Sequence, residues 1–378
     1  MRIVADENLA GVRELFGGVG TLVTLPGRSI GAGDVADADI LLVRSVTTVN
    51  AALLHESRVR FVGSATIGTD HLDTDWMDSR GIAWAAAPGC NASSVVNYVI
   101  AALFRLWDEG RLDWNECIFG VVGLGNVGGL LAHTLQGMGL RVLGCDPFTR
   151  CPGVEQVDID ELIVRAGVLS LHTPLTRSGP HPTHHLFSLS RLQQLAGKIL
   201  INSGRGAVVD NRALQALIST GEIDPGGIVL DVWENEPDIN RELLAKVRLG
   251  TPHIAGYSQE GKWKGSLMVR DALLRFLGCA AEPVPPAVGT LRECLSLDPA
   301  SGWAGLAMLV DSVYSVQRDH DDLCRELLLN GKPASAFDDL RKHYRPRREF
   351  SSFDVSLVSG PDVRLRACLQ ALGFHVAV

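Results

Sequence analysis

The first part of the chain alternates short apolar runs with segments of helical periodicity. The segments ENLAGVRELFG and NAALLHES place apolar residues three or four positions apart, as amphipathic helices do. The strand-like runs, bounded by Gly, Pro, Asp or Ser, are RIVAD, TLVTL, DILLVRS, VRFVGSA and IAWAAAP. Apolar strands that alternate with helices predict a parallel sheet covered on both faces.

A second series of the same kind follows a long apolar segment. That segment, SSVVNYVIAALFRLWDEGRL, predicts a mostly buried helix that links two domains. The later runs CIFGVVGLG, RVLGCD, VLSLHTP, KILINSG and GIVLDVW predict the strands of a second α/β unit, which ends near LGTPHIAGYS.

The pattern changes after CAAEPVPPAVG, a proline-rich stretch around residues 279–290 that is suited to a linker. The segment GWAGLAMLVDSVYSVQRDHDDLCRELL predicts a helix. FSSFDVSLV and FHVAV predict strands on either side of a last helix, PDVRLRACLQALG. We therefore predict a small α+β domain without a catalytic motif at the end of the chain.

Composition and charge narrow the classes of protein to consider. With 378 residues, of which 46% are hydrophobic and 21% charged, the chain is long enough for two or three globular domains. The net charge of −8 and the lack of a long basic tail argue against a nucleic-acid or membrane partner. No apolar run approaches membrane-spanning length, and the start lacks the pattern of a signal peptide.

Neither the cysteines nor the histidines predict a metal site. The 8 cysteines are scattered without a C-x-x-C pair, which favours reduced thiols in a cytoplasmic protein. His181, His184 and His185 share one loop, but we expect no acid or cysteine nearby to complete a ligand set. We predict that the protein binds no metal.

A glycine-rich turn is the clearest candidate for cofactor binding. An apolar strand precedes Gly123, Gly125 and Gly128, and an amphipathic helix follows them. This spacing permits a tight turn, a close approach of a pyrophosphate and close packing of helix on strand. Asp146 ends the next strand, where its carboxylate would accept from a ribose 2′-OH and repel a 2′-phosphate. The turn therefore predicts NAD in preference to NADP.

Three polar residues follow apolar strands in the same half of the chain: Arg205, Glu236 and His253. Each of these residues alone could equally have a structural role. However, ligands bind at the carboxyl ends of parallel strands, where all three lie. A guanidinium can hold a carboxylate, and an imidazole can take a hydroxyl proton. A carboxylate beside the imidazole would orient it and stabilise its charged form. Together they predict the reversible oxidation of a 2-hydroxy acid.

The motifs GVVGLGNVG, NSGRGAVVD, DVWENEP and TPHIAG, in this order and spacing, resemble the D-isomer-specific 2-hydroxyacid dehydrogenase family. The resemblance implies a Rossmann-type NAD domain at 96–256 and a flavodoxin-like α/β substrate domain made of 1–95 and a return segment, 257–282. It assigns catalysis to the arginine, glutamate and histidine already named. The remaining residues, 283–378, would form a small α+β dimerisation domain, which predicts a homodimer.

Further stretches resemble one branch of this family, whose members oxidise a phosphorylated 2-hydroxy acid in the synthesis of vitamin B6. These stretches are ADENL, VRSVTTVN, GSATIGTDHLD, APGCNASSVVNYV and HIAGYSQEGK. By that resemblance Ser45, Thr66 and Tyr257 contact substrate. The residues that would contact NAD, besides the three glycines, are Asn126, Val127, Asp146, Thr173, Ser203, Gly204, Asp231 and Gly256.

A substrate phosphate needs cations. Arg44, next to Ser45 after an apolar strand, is our first candidate, and Lys262 and Lys264 are weaker ones. The segment RKHYRPRREF at 341–350 is strongly basic and could reach a phosphate across a dimer interface. We expect it instead to be a solvated basic face.

Several alternatives stay open. A relative of the same chemistry, such as a 3-phosphoglycerate dehydrogenase or a hydroxypyruvate reductase, would share the catalytic set and differ in the substrate domain. An NAD-sensing binding protein could retain the same three residues without turnover. The C-terminal domain could bind an effector. A formate dehydrogenase is disfavoured, because glutamine typically stands where this chain has Glu236.

Overall fold

A computed structural model describes residues 1–280, 292–358, 360 and 362–376. The predicted linker around residues 279–290 lies outside the described residues beyond position 280. The strands are β1 (Arg2–Asp6), β2 (Thr21–Leu25), β3 (Ile40–Val43), β4 (Phe61–Ser64), β5 (Ala83–Ala85), β6 (Ile118–Val122), β7 (Arg141–Cys145), β8 (Glu155–Gln156), β9 (Val168–Leu171), β10 (Ile199–Asn202), β11 (Ile228–Leu230), β12 (Leu249–Gly250), β13 (Glu293–Leu297), β14 (Phe353–Leu357) and β15 (His375–Val376).

The α-helices include short single turns as well as long segments, and none that the structure describes is both long and apolar enough to cross a membrane. They are α1 (Val12–Phe16), α2 (Ala32–Val35), α3 (Ala51–Leu54), α4 (Thr74–Ser79), α5 (Ala92–Asp108), α6 (Asn126–Gly137), α7 (Ile159–Arg165), α8 (Leu189–Leu192), α9 (Asn211–Thr220), α10 (Arg241–Leu244), α11 (Gln259–Phe276), α12 (Gly302–Val313), α13 (Val316–Cys324), α14 (Ser335–Lys342) and α15 (Val363–Leu372).

One compact unit consists of Met1–Asn91 and the described part of Ser258–Thr290. Its five strands are all parallel and lie in the order β2-β1-β3-β4-β5. This is the flavodoxin-like order, so that prediction is confirmed. The return segment supplies α11, whose residues Val269 and Leu273 are buried in the same core as the first strands.

The second compact unit consists of Ala92–Tyr257 and Leu291–Val378. Its larger sheet is parallel, with the order β12-β11-β10-β9-β6-β7-β8. The strand order reverses between β6 and β9, and the helix that follows β6 begins at the glycine-rich turn. Crevices at such a reversal hold nucleotides in Rossmann folds. The predicted Rossmann-type domain is thus confirmed, and α5 contributes a nearly continuous buried surface to its core.

The C-terminal part adds a small parallel sheet with the order β13-β14-β15. The single helix predicted from the run that starts at Gly302 is instead two helices, separated at Tyr314 and Ser315, and followed by a π-helical turn at Arg325–Leu329. Strand β13 was not predicted from the sequence. Residues of α12 and α15 share one core with α5 and α6, so the C-terminal part belongs to the same unit as the Rossmann sheet.

Candidate active site

The glycine turn has the geometry that a dinucleotide requires. Gly123 has a positive φ of 84°, which favours glycine. A Cβ on Gly128 would lie 1.8 Å from the Gly123 carbonyl oxygen, so helix and turn are in direct contact there. A Cβ on Gly125 would meet nothing within 4 Å. The space at the N-terminus of α6 is therefore open where a pyrophosphate would bind.

Asp146 lies at the end of β7 and fixes this turn. Its Oδ2 accepts a hydrogen bond of 2.8 Å from the backbone N–H of Leu124. Its Oδ1 accepts from the N–H groups of Phe148 and Thr149 at 2.8 and 2.9 Å. A carboxylate has lone pairs beyond these three bonds. The predicted ribose contact therefore remains compatible with the observed geometry.

Thr173 also fits a polar ligand at this edge. Its methyl group would lie 3.0 Å from a Cβ on Gly123, and its buried hydroxyl has no hydrogen-bond partner among the described residues. Buried hydroxyls are normally hydrogen-bonded, so an orphan here points to a ligand group. Of the other predicted NAD contacts, Asn126 and Val127 begin α6, Ser203 and Gly204 follow β10, and Gly256 follows His253 in a later loop.

The glycine after Arg205 accommodates the backbone of a neighbouring loop. A Cβ on Gly206 would lie 1.9 Å from the carbonyl oxygen of Trp233, a distance that no side chain tolerates. The turn is also held by Asn202, whose amide donates to the Arg205 carbonyl at 3.0 Å. Arg205 thus lies after β10 on a turn packed directly against the loop that leads to Glu236.

A hydrogen bond between Glu236 and His253 lies at the centre of the site. His253 Nδ1 lies 2.7 Å from Glu236 Oε2, and Glu236 Oε1 accepts from the Trp233 N–H at 2.8 Å. Burial favours the neutral acid, but the charge and hydrogen bond of His253 outweigh it and lower the pKa of Glu236. Because Nδ1 is bonded to the carboxylate, Nε2 is the nitrogen left to exchange a proton with substrate.

The backbone of His253 is held in a sparsely populated conformation, with φ at 55°. Asp231, which is only 1% exposed, stabilises the loop. Its carboxylate accepts from the N–H groups of Ile254 and Ala255 at 2.8 and 2.9 Å, and from the Thr251 hydroxyl at 2.7 Å. The contact of Asp231 with NAD stays a prediction; what these bonds show is that its carboxylate shapes the loop of His253.

A residue of the C-terminal part, Arg347, donates hydrogen bonds to backbone carbonyls of the same loop. Arg347 is 5% exposed, and its guanidinium donates to the carbonyls of Ala255 at 2.5 Å, Ser94 at 2.9 Å and Ile254 at 3.4 Å. Its Cζ lies 4.3 Å from the centre of the Tyr314 ring. The expectation that residues 341–350 form a solvated basic face is therefore wrong, because this arginine is a buried part of the site.

The loop that contains His181, His184 and His185 also differs from expectation. His185 Nε2 lies 2.7 Å from Glu234 Oε1, and the His184 and His185 rings stack with their centres 4.0 Å apart. The acid that we did not expect is thus present, and these three residues form a group that could hold a metal ion. The sequence missed it because Glu234 lies 49 residues after His185. Glu234 Oε2 already accepts from the Asn211 N–H at 2.9 Å.

The predicted substrate residues of the first unit follow two neighbouring strands. Arg44 and Ser45 come after β3, and Thr66 comes after β4. Arg44 makes an ion pair with the fully buried Asp6, with Nε 2.8 Å from Oδ2. Thr66 donates to the Gly68 carbonyl at 3.1 Å. Lys262 and Lys264 are exposed on α11. The first-choice phosphate cation therefore already has an anionic partner.

Two family models match the chain. The D-isomer specific 2-hydroxyacid dehydrogenase, NAD binding domain, matches residues 108–255. A domain of unknown function, DUF3410, matches residues 291–373. The first match contains the glycine turn and the three candidate catalytic residues, which confirms the prediction that this part binds NAD.

Curated relatives extend the similarity to the whole length. An erythronate-4-phosphate dehydrogenase of Azotobacter vinelandii is 48% identical, over 99% of both chains. One of Cellvibrio japonicus is 45% identical, over 99% of this chain and 100% of that one. The chain belongs to the erythronate-4-phosphate dehydrogenase family. The resemblance noted from the sequence is thereby confirmed, as is the prediction of an NAD-dependent oxidoreductase.

Solved structures of more distant proteins share the fold of this family member. A D-lactate dehydrogenase from Aquifex aeolicus, in complex with NAD and lactic acid, superposes with a TM-score of 0.63 at 24% identity. It covers 74% of this chain and 96% of its own. A formate dehydrogenase from Staphylococcus aureus, in complex with NAD, gives 0.60 at 20% identity, over 76% of this chain and 99% of its own. These likenesses support the two-unit α/β architecture.

Proposed function

We propose that the chain oxidises 4-phospho-D-erythronate to 2-oxo-3-hydroxy-4-phosphobutanoate with NAD, in the synthesis of pyridoxal 5′-phosphate. The observation that carries the chemistry is the 2.7 Å bond between His253 and Glu236, on loops that follow strands of the Rossmann sheet. The choice of substrate rests on the names of the two relatives, which are erythronate-4-phosphate dehydrogenases.

His253 is the acid–base residue in this proposal. Its Nε2 takes the proton of the C2 hydroxyl while the C2–H bond breaks and the C2–O double bond forms. NAD, when bound, supplies the acceptor for the hydride that leaves C2 with its electron pair. Glu236 stays ionised and stabilises the protonated imidazole, and His253 returns the proton in the reverse reaction.

Arg205 holds the substrate carboxylate. Its planar guanidinium can form two parallel hydrogen bonds to a carboxylate and can polarise the neighbouring C2 oxygen. The tight packing of Gly206 against Trp233 fixes the turn that carries it. Ser45, Thr66 and Tyr257 are our proposed substrate contacts.

We also infer a cytoplasmic homodimer that assembles through the C-terminal residues. All 8 cysteines are free thiols, as in a reducing compartment. Leu306, Leu309 and Val310 of α12 are buried within the chain, so this helix offers less apolar surface than its sequence suggests. Met308 remains 75% exposed, and Leu329 and Val363 are also exposed apolar side chains of this part. Sedimentation as a monomer at micromolar concentration would contradict the dimer.

NADH formation with three substrates tests the proposed activity. We expect the highest kcat/KM with 4-phospho-D-erythronate, and much lower values with 3-phosphoglycerate and D-glycerate. A preference for 3-phosphoglycerate would assign the chain to another activity of the same chemistry. NAD binding without turnover of any of the three would instead favour an NAD-sensing protein.

A further inference from the structure

Arg341, in the C-terminal part, lies beside the catalytic loops of its own chain. It is near the end of α14, and its side chain is only 17% exposed. Its Cζ lies 5.7 Å from the centre of the Tyr257 ring. Tyr257 follows His253 on the same loop, and its backbone N–H bonds to the Ile254 carbonyl at 2.8 Å. Arg341 is therefore placed next to the residues that we assign to substrate.

The guanidinium of Arg341 has donors to spare. Nη1 lies 3.3 Å from an oxygen of Asp338, one turn earlier on the helix. Nε is buried and has no hydrogen-bond partner among the residues that the structure describes. An arginine has five N–H donors in a planar fork, and a buried donor without a partner costs free energy. A ligand with several acceptor oxygens would satisfy them.

The surrounding charges keep Arg341 cationic. Burial disfavours its charge, but neighbouring carboxylates, among them Glu236 and Asp338, favour it, and the pKa of Arg341 is raised. Arg341 in turn is one of the groups that lower the pKa of Glu236. A cation this close to the catalytic carboxylate attracts an anionic substrate to the side of the site that Tyr257 lines.

Two other arginines of the same basic segment bind other groups of the protein. Arg347 donates to three backbone carbonyls, and Arg345 pairs with the buried Asp319 at 2.6 Å. The proposed substrate carries a phosphate as well as the carboxylate assigned to Arg205. Guanidinium groups match the oxygens of a phosphate through paired, charge-assisted hydrogen bonds.

We propose that Arg341 binds the terminal phosphate of the substrate, so that the C-terminal part completes the substrate site of its own chain. This inference rests on the proposed function, because only a phosphorylated substrate calls for a second anion site. It gives residues 291–373, the match to a domain of unknown function, a role in choosing substrate.

The test compares Arg341→Met with Lys342→Met, which removes the same charge from the neighbouring exposed position on α14. The first measurement is calorimetric titration of the NAD-loaded protein with inorganic phosphate, which needs no turnover. The second is KM for 4-phospho-D-erythronate and for D-erythronate, which lacks the phosphate. Arg341→Lys, which keeps the charge but loses the fork, is the conservative variant.

We expect Arg341→Met to weaken phosphate binding and to raise KM for the phosphorylated substrate by about 10- to 100-fold, the loss typical of a charged hydrogen bond. KM for D-erythronate should not change, Arg341→Lys should recover part of the loss, and Lys342→Met should behave as the unmodified protein. Equal losses with both substrates, or unchanged phosphate binding, would overturn the assignment. Unmodified protein that binds phosphate through Arg341 but does not oxidise 4-phospho-D-erythronate would reject the proposed function alone.

Discussion

Nδ1 of His253 lies 2.7 Å from Oε2 of Glu236, a residue 17 positions earlier in the chain. The pKa of Glu236 is below its ordinary value, so its carboxylate stays ionised from neutral pH down through the mildly acidic range. Glu236 is therefore an anion beside the imidazole throughout that range, and it can stabilise the charge that His253 gains on taking a proton from substrate.

Glu236→Gln should lower kcat for oxidation by about 10-fold or more, because a neutral amide cannot stabilise the imidazolium that forms as His253 takes the proton. The rate is measured by NADH formation at saturating NAD and substrate, and the dissociation constant of NAD should change little. An unchanged kcat would mean that Glu236 does not assist the proton acceptor.

Arg205→Lys should lower kcat/KM by about 100-fold, because the charge remains but the paired hydrogen bonds to the carboxylate are lost. The dissociation constant of NAD should change little, since Gly125 and Asp146 lie elsewhere on the sheet edge. Steady-state rates give kcat/KM, and quenching of the protein's tryptophan fluorescence by NAD gives the dissociation constant. Normal turnover by this variant would leave Arg205 as a turn residue only.

Gly125 and Gly128 should respond differently to alanine. Gly125 has φ −68°, which alanine adopts readily, and its Cβ would enter open space. Gly125→Ala should therefore keep its melting temperature and weaken NAD binding at least about tenfold, by obstructing the pyrophosphate. Gly128→Ala should instead lower the free energy of unfolding by about 1–3 kcal/mol, because its Cβ would strike the Gly123 carbonyl. Equal destabilisation of both variants would contradict the open space that we find next to Gly125.

Asp146→Asn should narrow the preference for NAD over NADP by about tenfold, because it removes the charge that repels a 2′-phosphate. An asparagine oxygen can still accept from one of the backbone N–H groups that now bond to Asp146. Ratios of kcat/KM for the two cofactors measure the effect, and thermal unfolding checks that the turn persists. Equal use of both cofactors by the unmodified protein would remove the argument.

Arg347→Met should lower the free energy of unfolding by about 3 kcal/mol, because three buried carbonyls lose a charged donor. It should also lower kcat in the fraction that remains folded, since the loop of His253 loses the donor that binds its carbonyls. Arg318→Met, an exposed change on α13, is the matched control and should alter neither quantity. Full kcat in a destabilised Arg347→Met protein would restrict this arginine to a structural role.

The sequence by itself determined most strands of the two larger sheets, the glycine turn and the candidate catalytic residues. Strand burial on both faces and helical periodicity are local patterns, so β1, β6 and β10 were predictable from their own residues. The carboxyl ends of parallel strands meet at one edge, so Glu236 and His253 could be expected to lie close together before any distance was known. The motifs and their order resemble those of a known family, and this resemblance indicated the role of each candidate residue.

Only the tertiary structure decided how those residues are held. Asp231 turns its carboxylate to the His253 loop, Glu234 reaches His185, and Arg341 and Arg347 come back to the site from the far end of the chain. No local pattern reports such pairings, because a solvated basic segment and a buried one have the same composition. Which arginine is buried depends on the carbonyls and rings that distant segments bring to it, and that is a property of the packed fold.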